Sequence, residues 1–260
     1  MRDIFSELAA PSLSDEDPVR RAQIQMKQPL PKRFYKEATV AGTPDGYAVH
    51  LDGRSVKTPA KQVLVLPTEA AAELVAGEWR AQEQEINPAT MPVTRIANST
   101  IDGIIRDPAA VVDEIVRFSG TDLICYRADS PSTLVVNQQA HWDPILRWVA
   151  DTHGARFILA EGVMHQEQPA EAIDAFRKAL GKHASPFAIG CLHTMTTLMG
   201  SALLALAIAD KRLTPAEGWA AAHVDEDWNM SQWGSDAEAE ARRELRWKEL
   251  QAAHALLEAL

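Results

Sequence analysis

The sequence predicts an α+β fold, with a β-rich α/β domain first and a larger all-α domain after it. Turn chemistry between short β-prone runs is confined to Phe34–Leu66, whereas helix-start signals recur from Pro67 to the C-terminus. One long stretch free of Asp, Glu, Lys and Arg, Phe187 to Ala209, supplies the apolar centre that a helical domain needs.

Residues 1–32 are polar and punctuated by Pro11, Pro18, Pro29 and Pro31, which reads as an arm. The β-rich domain is expected over 33–95. Thr43-Pro-Asp-Gly46 and Leu51-Asp-Gly-Arg54 mark hairpins. Tyr47, Val49 and Leu51 alternate, as do Val63 and Val65, so these residues are expected to face the packed side. Pro67-Thr68 opens a helix through about Glu85, with Trp79 as a core anchor at helical spacing. Pro88 to Gly103 reads as a long connection with one short element, and the domain boundary falls within it.

The helical domain is expected over 96–260. Asp107-Pro108 caps one helix, which Gly120 stops. Ser130-Pro131 begins another that carries Trp142 and Trp148, is kinked or broken at Pro144, and ends at Gly154. Helices over Pro169–Leu180, Phe187–Asp210 and Pro215–Trp233 follow. Thr214-Pro-Ala-Glu217 and Ser235-Asp-Ala-Glu238 read as capping boxes, the second starting a terminal helix.

The chain has 36 acidic and 26 basic residues, a net charge of −10, and no basic stripe. Such a surface repels phosphate backbones, so nucleic acid is not an expected partner. Cys125 and Cys191 sit in apolar flanks and read as small core residues in a reducing compartment. An apolar signal region is missing and the first residues are rich in acids, so a bacterial cytoplasmic location is expected. Phe187–Ala209 is long enough to span a bilayer. His193, Thr194, Thr196, Thr197 and Ser201 interrupt it, which favours a buried helix over membrane insertion.

Catalytic signatures are missing. G-x-G-x-x-G, G-x-x-x-x-G-K-[ST], G-x-S-x-G, H-E-x-x-H and E-x-x-H do not occur. Neither a cofactor nor a metal is therefore expected. His223, Glu226 and Asp227 could present two metal ligands on one helix, but the others needed for a site are not nearby. A metal-dependent or small-molecule enzyme using these three residues is the alternative reading.

One position is chemically unusual. Counted from Thr214 at helical spacing, Trp219, Ala222/His223, Glu226, Met230 and Trp233 share a stripe. A carboxylate on an apolar face must be paired, protonated or turned to a partner, because burying it unpaired costs several kcal/mol. Both a structural ion pair and a functional contact satisfy that condition.

Six stretches, read together, resemble a known family: Arg33-Phe-Tyr-Lys-Glu37, Leu51-Asp-Gly-Arg-Ser-Val-Lys-Thr-Pro59, Glu78-Trp79, Thr121-Asp-Leu-Ile-Cys-Tyr-Arg127, Trp142-Asp-Pro144 with Trp148, and Trp228 to Gly234. In this order they are similar to the F1-ATPase assembly chaperones that bind the alpha subunit, called F1 complex assembly factor 2 in mitochondria. The resemblance implies a β-rich domain followed by a helical one, and a non-enzymatic, ATP-independent chaperone. Such a protein holds the unassembled alpha subunit, covers its apolar interface and releases it into the F1 sector. Eukaryotic relatives would work in the mitochondrial matrix. An acidic residue in the C-terminal helical region matters in that family, so Glu226 and Glu240 are both candidates. Trp228, Met230 and Trp233 are the residue types that suit a client-binding face.

Overall fold

The computed structural model describes residues 29–161 and 166–260. Most of the expected arm, residues 1–28, lies outside the described residues. The described residues form two compact units, the first ending at Arg106 and including Ala259–Leu260, the second running from Asp107 to Glu258. The fold is α+β, with the larger sheet near the N-terminus and helices thereafter.

In the first unit, β1 (Ala38–Thr43) and β2 (Gly46–Leu51) pair antiparallel, with Thr43 opposite Gly46. β3 (Arg54–Ser55) and β4 (Val65–Leu66) both pair antiparallel with β2. Asp52 and Gly53 take φ of +47° and +79°, the double left-handed turn that joins β2 to β3. The Asp52 carboxylate also accepts from the backbone N–H of Glu37 at 2.9 Å and Lys36 at 3.1 Å, which holds its carboxyl below the usual range. The expected alternation holds on β2, where Val49 and Leu51 are buried, and is out of step by one residue around β4. Leu64 and Leu66 are fully buried, whereas Val63 is exposed, and Ala48 is buried beside Val49 and Leu51.

Helix α1 (Glu69–Arg80) packs on β1 and β2, capped by Thr68, whose side chain accepts from Ala71 N–H. It ends five residues before the expected Glu85. Trp79 is buried, and the Tyr35 hydroxyl donates to its carbonyl at 2.6 Å. Arg33 donates to the carbonyls of Arg80 and Gln82 at the end of α1 and lies 4.7 Å from the Tyr35 ring centroid. Cations are favoured at that end of a helix. The expected long connection is mostly helical: a 3₁₀ turn (Pro88–Thr90), α2 (Pro92–Ser99) and a π turn (Thr100–Ile104). Its order comes from a tertiary contact that local composition hides. The Glu78 carboxylate accepts from Val93 and Thr94 N–H, each at 2.7 Å, and so caps α2 from α1.

The second unit begins with α3 (Pro108–Gly120), capped by Asp107. A 3₁₀ turn (Leu123–Cys125) leads to β5 (Tyr126–Arg127), which pairs parallel with β6 (Ala160–Glu161). Between these strands α4 (Ser132–His153) runs unbroken through Pro144 and stops at Gly154, which is left-handed at φ +74°. Trp142 is buried, and its Nε1–H donates to the Ala221 carbonyl at 2.7 Å. Arg127 donates to the Ile124 carbonyl, pairs with Asp143 at 2.8 Å and lies over the Trp142 ring. α5 (Ala170–Leu180) follows.

The uncharged stretch, for which the sequence predicts one helix, is two: α6 (Pro186–Met199) and α7 (Ala202–Ala209). Gly200 is left-handed at φ +65°, and Ser201 caps α7 by accepting from Leu204 N–H. The fully buried Asp122 completes the break by accepting from Leu203 N–H at 3.0 Å. Every residue of α7 is buried. Among the described residues, no helix is long and apolar enough to cross a membrane.

The expected Pro215–Trp233 helix is also divided, into α8 (Pro215–Ala222) and α9 (Val224–Trp233). Thr214 and Glu217 form the capping box expected for α8. The final helix, α10 (Ala237–Glu258), buries only Leu250, Ala253 and Leu256. Near its start the Asp236 carboxylate, rather than Ser235, accepts from Glu238 N–H at 3.4 Å.

Candidate functional site

The break at His223 decides what α9 presents. His223 has φ −114° and ψ 16°, outside the helical region, so the two helices do not share one continuous stripe. Trp219 and His223 are buried on the α8 side, at 9% and 4% exposure, with their rings 3.9 Å apart. The Nδ1–H of His223 donates to the Trp219 carbonyl at 2.8 Å, and burial lowers the pKa of the ring. Beyond the break the face turns outward. The Glu226 side chain is 60% exposed and Trp233 is 76% exposed. The expectation that Glu226 lies on a core stripe is therefore corrected, because the non-helical residue at 223 ends the stripe before Glu226.

The three acids of α9 have different surroundings. Asp225 accepts from Gln138 Nε2 at 2.8 Å. Asp227 forms an ion pair with Arg243 of α10. Glu226 has His223 Nε2 at 3.8 Å, too far for a hydrogen bond. It is thus the member of the triplet most open to an outside cation.

Trp228 and Trp233 meet edge to face, with ring centroids 5.7 Å apart. The Trp228 Nε1–H donates to Thr133 Oγ1 on α4 at 3.1 Å, which fixes the inner ring and lets Trp233 stand on it. Met230 is half-buried and Glu240 is exposed on α10. The structure brings the two tryptophans into contact, with Glu226 and Met230 on the same short helix. Glu240 belongs to a different element.

A cavity of about 190 Å³ lies between α4 and α9, lined by Asn137, His141, Ala220, Val224, Asp227, Trp228 and Ser231. Sequence reasoning misses Asn137, His141 and Ser231, since only packing brings them to α9. The metal trio of the alternative reading does not converge: His223 Nδ1 faces a carbonyl and Asp227 is held by Arg243. Among the described residues, no three His, Cys, Asp or Glu side chains are grouped as a metal site would require. Cys125 and Cys191 are buried free thiols, and burial raises both pKa values, the second to about 12.

The comparisons with known proteins bear on the whole architecture. The Atp12 structure from Paracoccus denitrificans is 35% identical, covers 88% of this chain and 98% of its own, and superposes with a TM-score of 0.80. The chain belongs to the ATP12 chaperone family. The family model described as ATP12 chaperone protein matches residues 32–150. Among relatives of this ATP12 chain, the Atu1473 protein of Agrobacterium tumefaciens is 51% identical over 98% of this chain and 96% of its own, with a TM-score of 0.88. The mitochondrial protein atp12 of Schizosaccharomyces pombe is 22% identical over 83% of this chain and 78% of its own length. The ATP12 family model covers all the quoted motifs except the Trp228–Gly234 stretch, which carries the exposed tryptophan.

Proposed function

We propose that this chain is an ATP-independent chaperone that binds the unassembled F1-ATPase alpha subunit, shields its apolar interface and promotes assembly of the F1 sector. It acts as a binder, and its chemistry is that of an interface. Family membership supports the chaperone role, and one observation supports the binding face: Trp233 stands in solvent against Trp228, on the helix that also carries Glu226. Tryptophan is among the residue types that dominate binding energy at protein interfaces. An unassembled subunit exposes apolar patches of the kind such a face would cover. In bacteria this work belongs to the cytoplasm, and in eukaryotic relatives to the mitochondrial matrix.

The test is co-elution of purified chain with isolated alpha subunit at equal ratio and without nucleotide. The full chain should form the complex and suppress client aggregation. Trp233→Ala should lose most of the complex while its thermal midpoint stays within a degree or two of wild type. Absence of a complex with the wild-type chain would overturn the reading.

A further inference from the structure

The cavity between α4 and α9 has a composition that selects its occupant. Its volume of about 190 Å³ suits one long side chain, below the roughly 300–1,000 Å³ typical of small-molecule sites. Its lining combines the apolar Ala220 and Val224, the Trp228 indole, and the polar Asp227, Asn137 and Ser231. An apolar shaft ending beside an indole and a carboxylate is complementary to arginine, whose alkyl stem packs and whose planar guanidinium stacks and forks.

The net charge of the second unit agrees. From residue 107 onward the sequence has thirteen Lys and Arg against twenty-two Asp and Glu, whereas residues 29–106 carry nine of each. Helix α9 itself holds three acids and no base. Asp227 shows the preference within the chain, because its Oδ1 already takes the Arg243 guanidinium. A carboxylate has about four lone-pair sites, so a second guanidinium can be accommodated. The His141 Nδ1–H donates to the Asn137 carbonyl at 2.9 Å, which fixes a ring that lines the cavity.

We infer that this cavity receives an arginine side chain of the client, seated against Trp228 with its guanidinium toward Asp227, while Trp233 covers the adjoining apolar surface. The inference rests on the chaperone reading and adds to it the chemistry of the partner residue.

The probe is Nα-acetyl-arginine amide, titrated into the full chain with its tryptophan indoles labelled with ¹⁵N, alongside the lysine and norleucine amides. Trp228→Phe identifies the Trp228 resonance. The arginine amide should shift that resonance saturably in the millimolar range, several-fold more strongly than the lysine amide, with no saturable shift from norleucine. Ser231→Trp, which fills the mouth from an exposed position, should remove the response and leave the circular dichroism spectrum unchanged. A missing arginine response, an equal response to norleucine, or a response that survives Ser231→Trp overturns the pocket. If the alpha subunit still co-elutes in those cases, the chaperone reading stands without the pocket. An arginine response without co-elution would overturn the chaperone reading and leave the pocket standing.

Discussion

Asp122 is fully buried, yet it organises the start of the most apolar helix in the chain. It accepts from Ile124 and Leu203 N–H, and burial raises its pKa from 3.8 to about 6 despite those donors. The folded state therefore holds this proton more tightly than the unfolded chain does. The resulting stabilisation is fully present below about pH 4 and is lost as the pH rises through about 6. Comparing wild type with Asp122→Asn cancels the other carboxylates. The stability difference should move against wild type by about 2 kcal/mol between pH 4 and 7, read by urea unfolding at each pH. A flat difference would show that the donors offset burial. At the surface, Glu226→Lys should weaken the client complex at least tenfold without moving the thermal midpoint, because Glu226 is 60% exposed and weakly paired. Glu240→Lys, on the exposed half of α10, is the matched control and should change affinity less than threefold. If Glu226→Lys unfolds the chain, the partner-facing assignment fails.

At the scale of elements, the two interruptions matter more than the helices they divide. Gly200 turns the chain so that α7 leaves α6 and meets α8, where Gly218 lies against Ile208. A Cβ at Gly218 would stand 2.6 Å from Ile208 Cδ1 and 3.0 Å from Cγ1, with Met199 Sδ at 3.7 Å. Alanine is the better helix former by about 1 kcal/mol, but Ile208 is itself buried and has little room to yield. Gly218→Ala should therefore lower stability by about 1–2 kcal/mol, seen as a lower urea midpoint at unchanged slope. A raised midpoint would mean that the α7–α8 contact gives way freely. The second interruption, at His223, separates the buried Trp219–His223 pair from the Trp228–Trp233 pair, whose outer ring is exposed. One sequence stripe thus serves a core and a surface.

At the scale of the whole molecule, charge is distributed unevenly. The residues from 107 onward carry a net −9 out of the total of −10, through thirteen basic and twenty-two acidic side chains. A client with a basic contact surface should associate quickly at low salt and more slowly as ions screen the field. The association rate constant for the alpha subunit is expected to fall roughly tenfold between 50 and 300 mM salt, with a smaller change in dissociation, as measured by stopped-flow tryptophan fluorescence. A rate independent of salt would exclude charge steering.

The sequence by itself determined the fold class, the hairpin turns at Gly46 and Gly53, the capping box at Thr214, and the buried state of Trp79, Cys125 and Cys191. Each depends on a local signal or on composition. Tertiary structure alone decided that Leu64 and Leu66 face inward, that the uncharged stretch breaks at Gly200, and that Glu226 looks outward. Those outcomes depend on partners far away in sequence, such as Asp122 reaching the start of α7 and Trp142 holding the end of α8. Helical periodicity finds a stripe, but it cannot tell a stripe that continues from one redirected by a single non-helical residue.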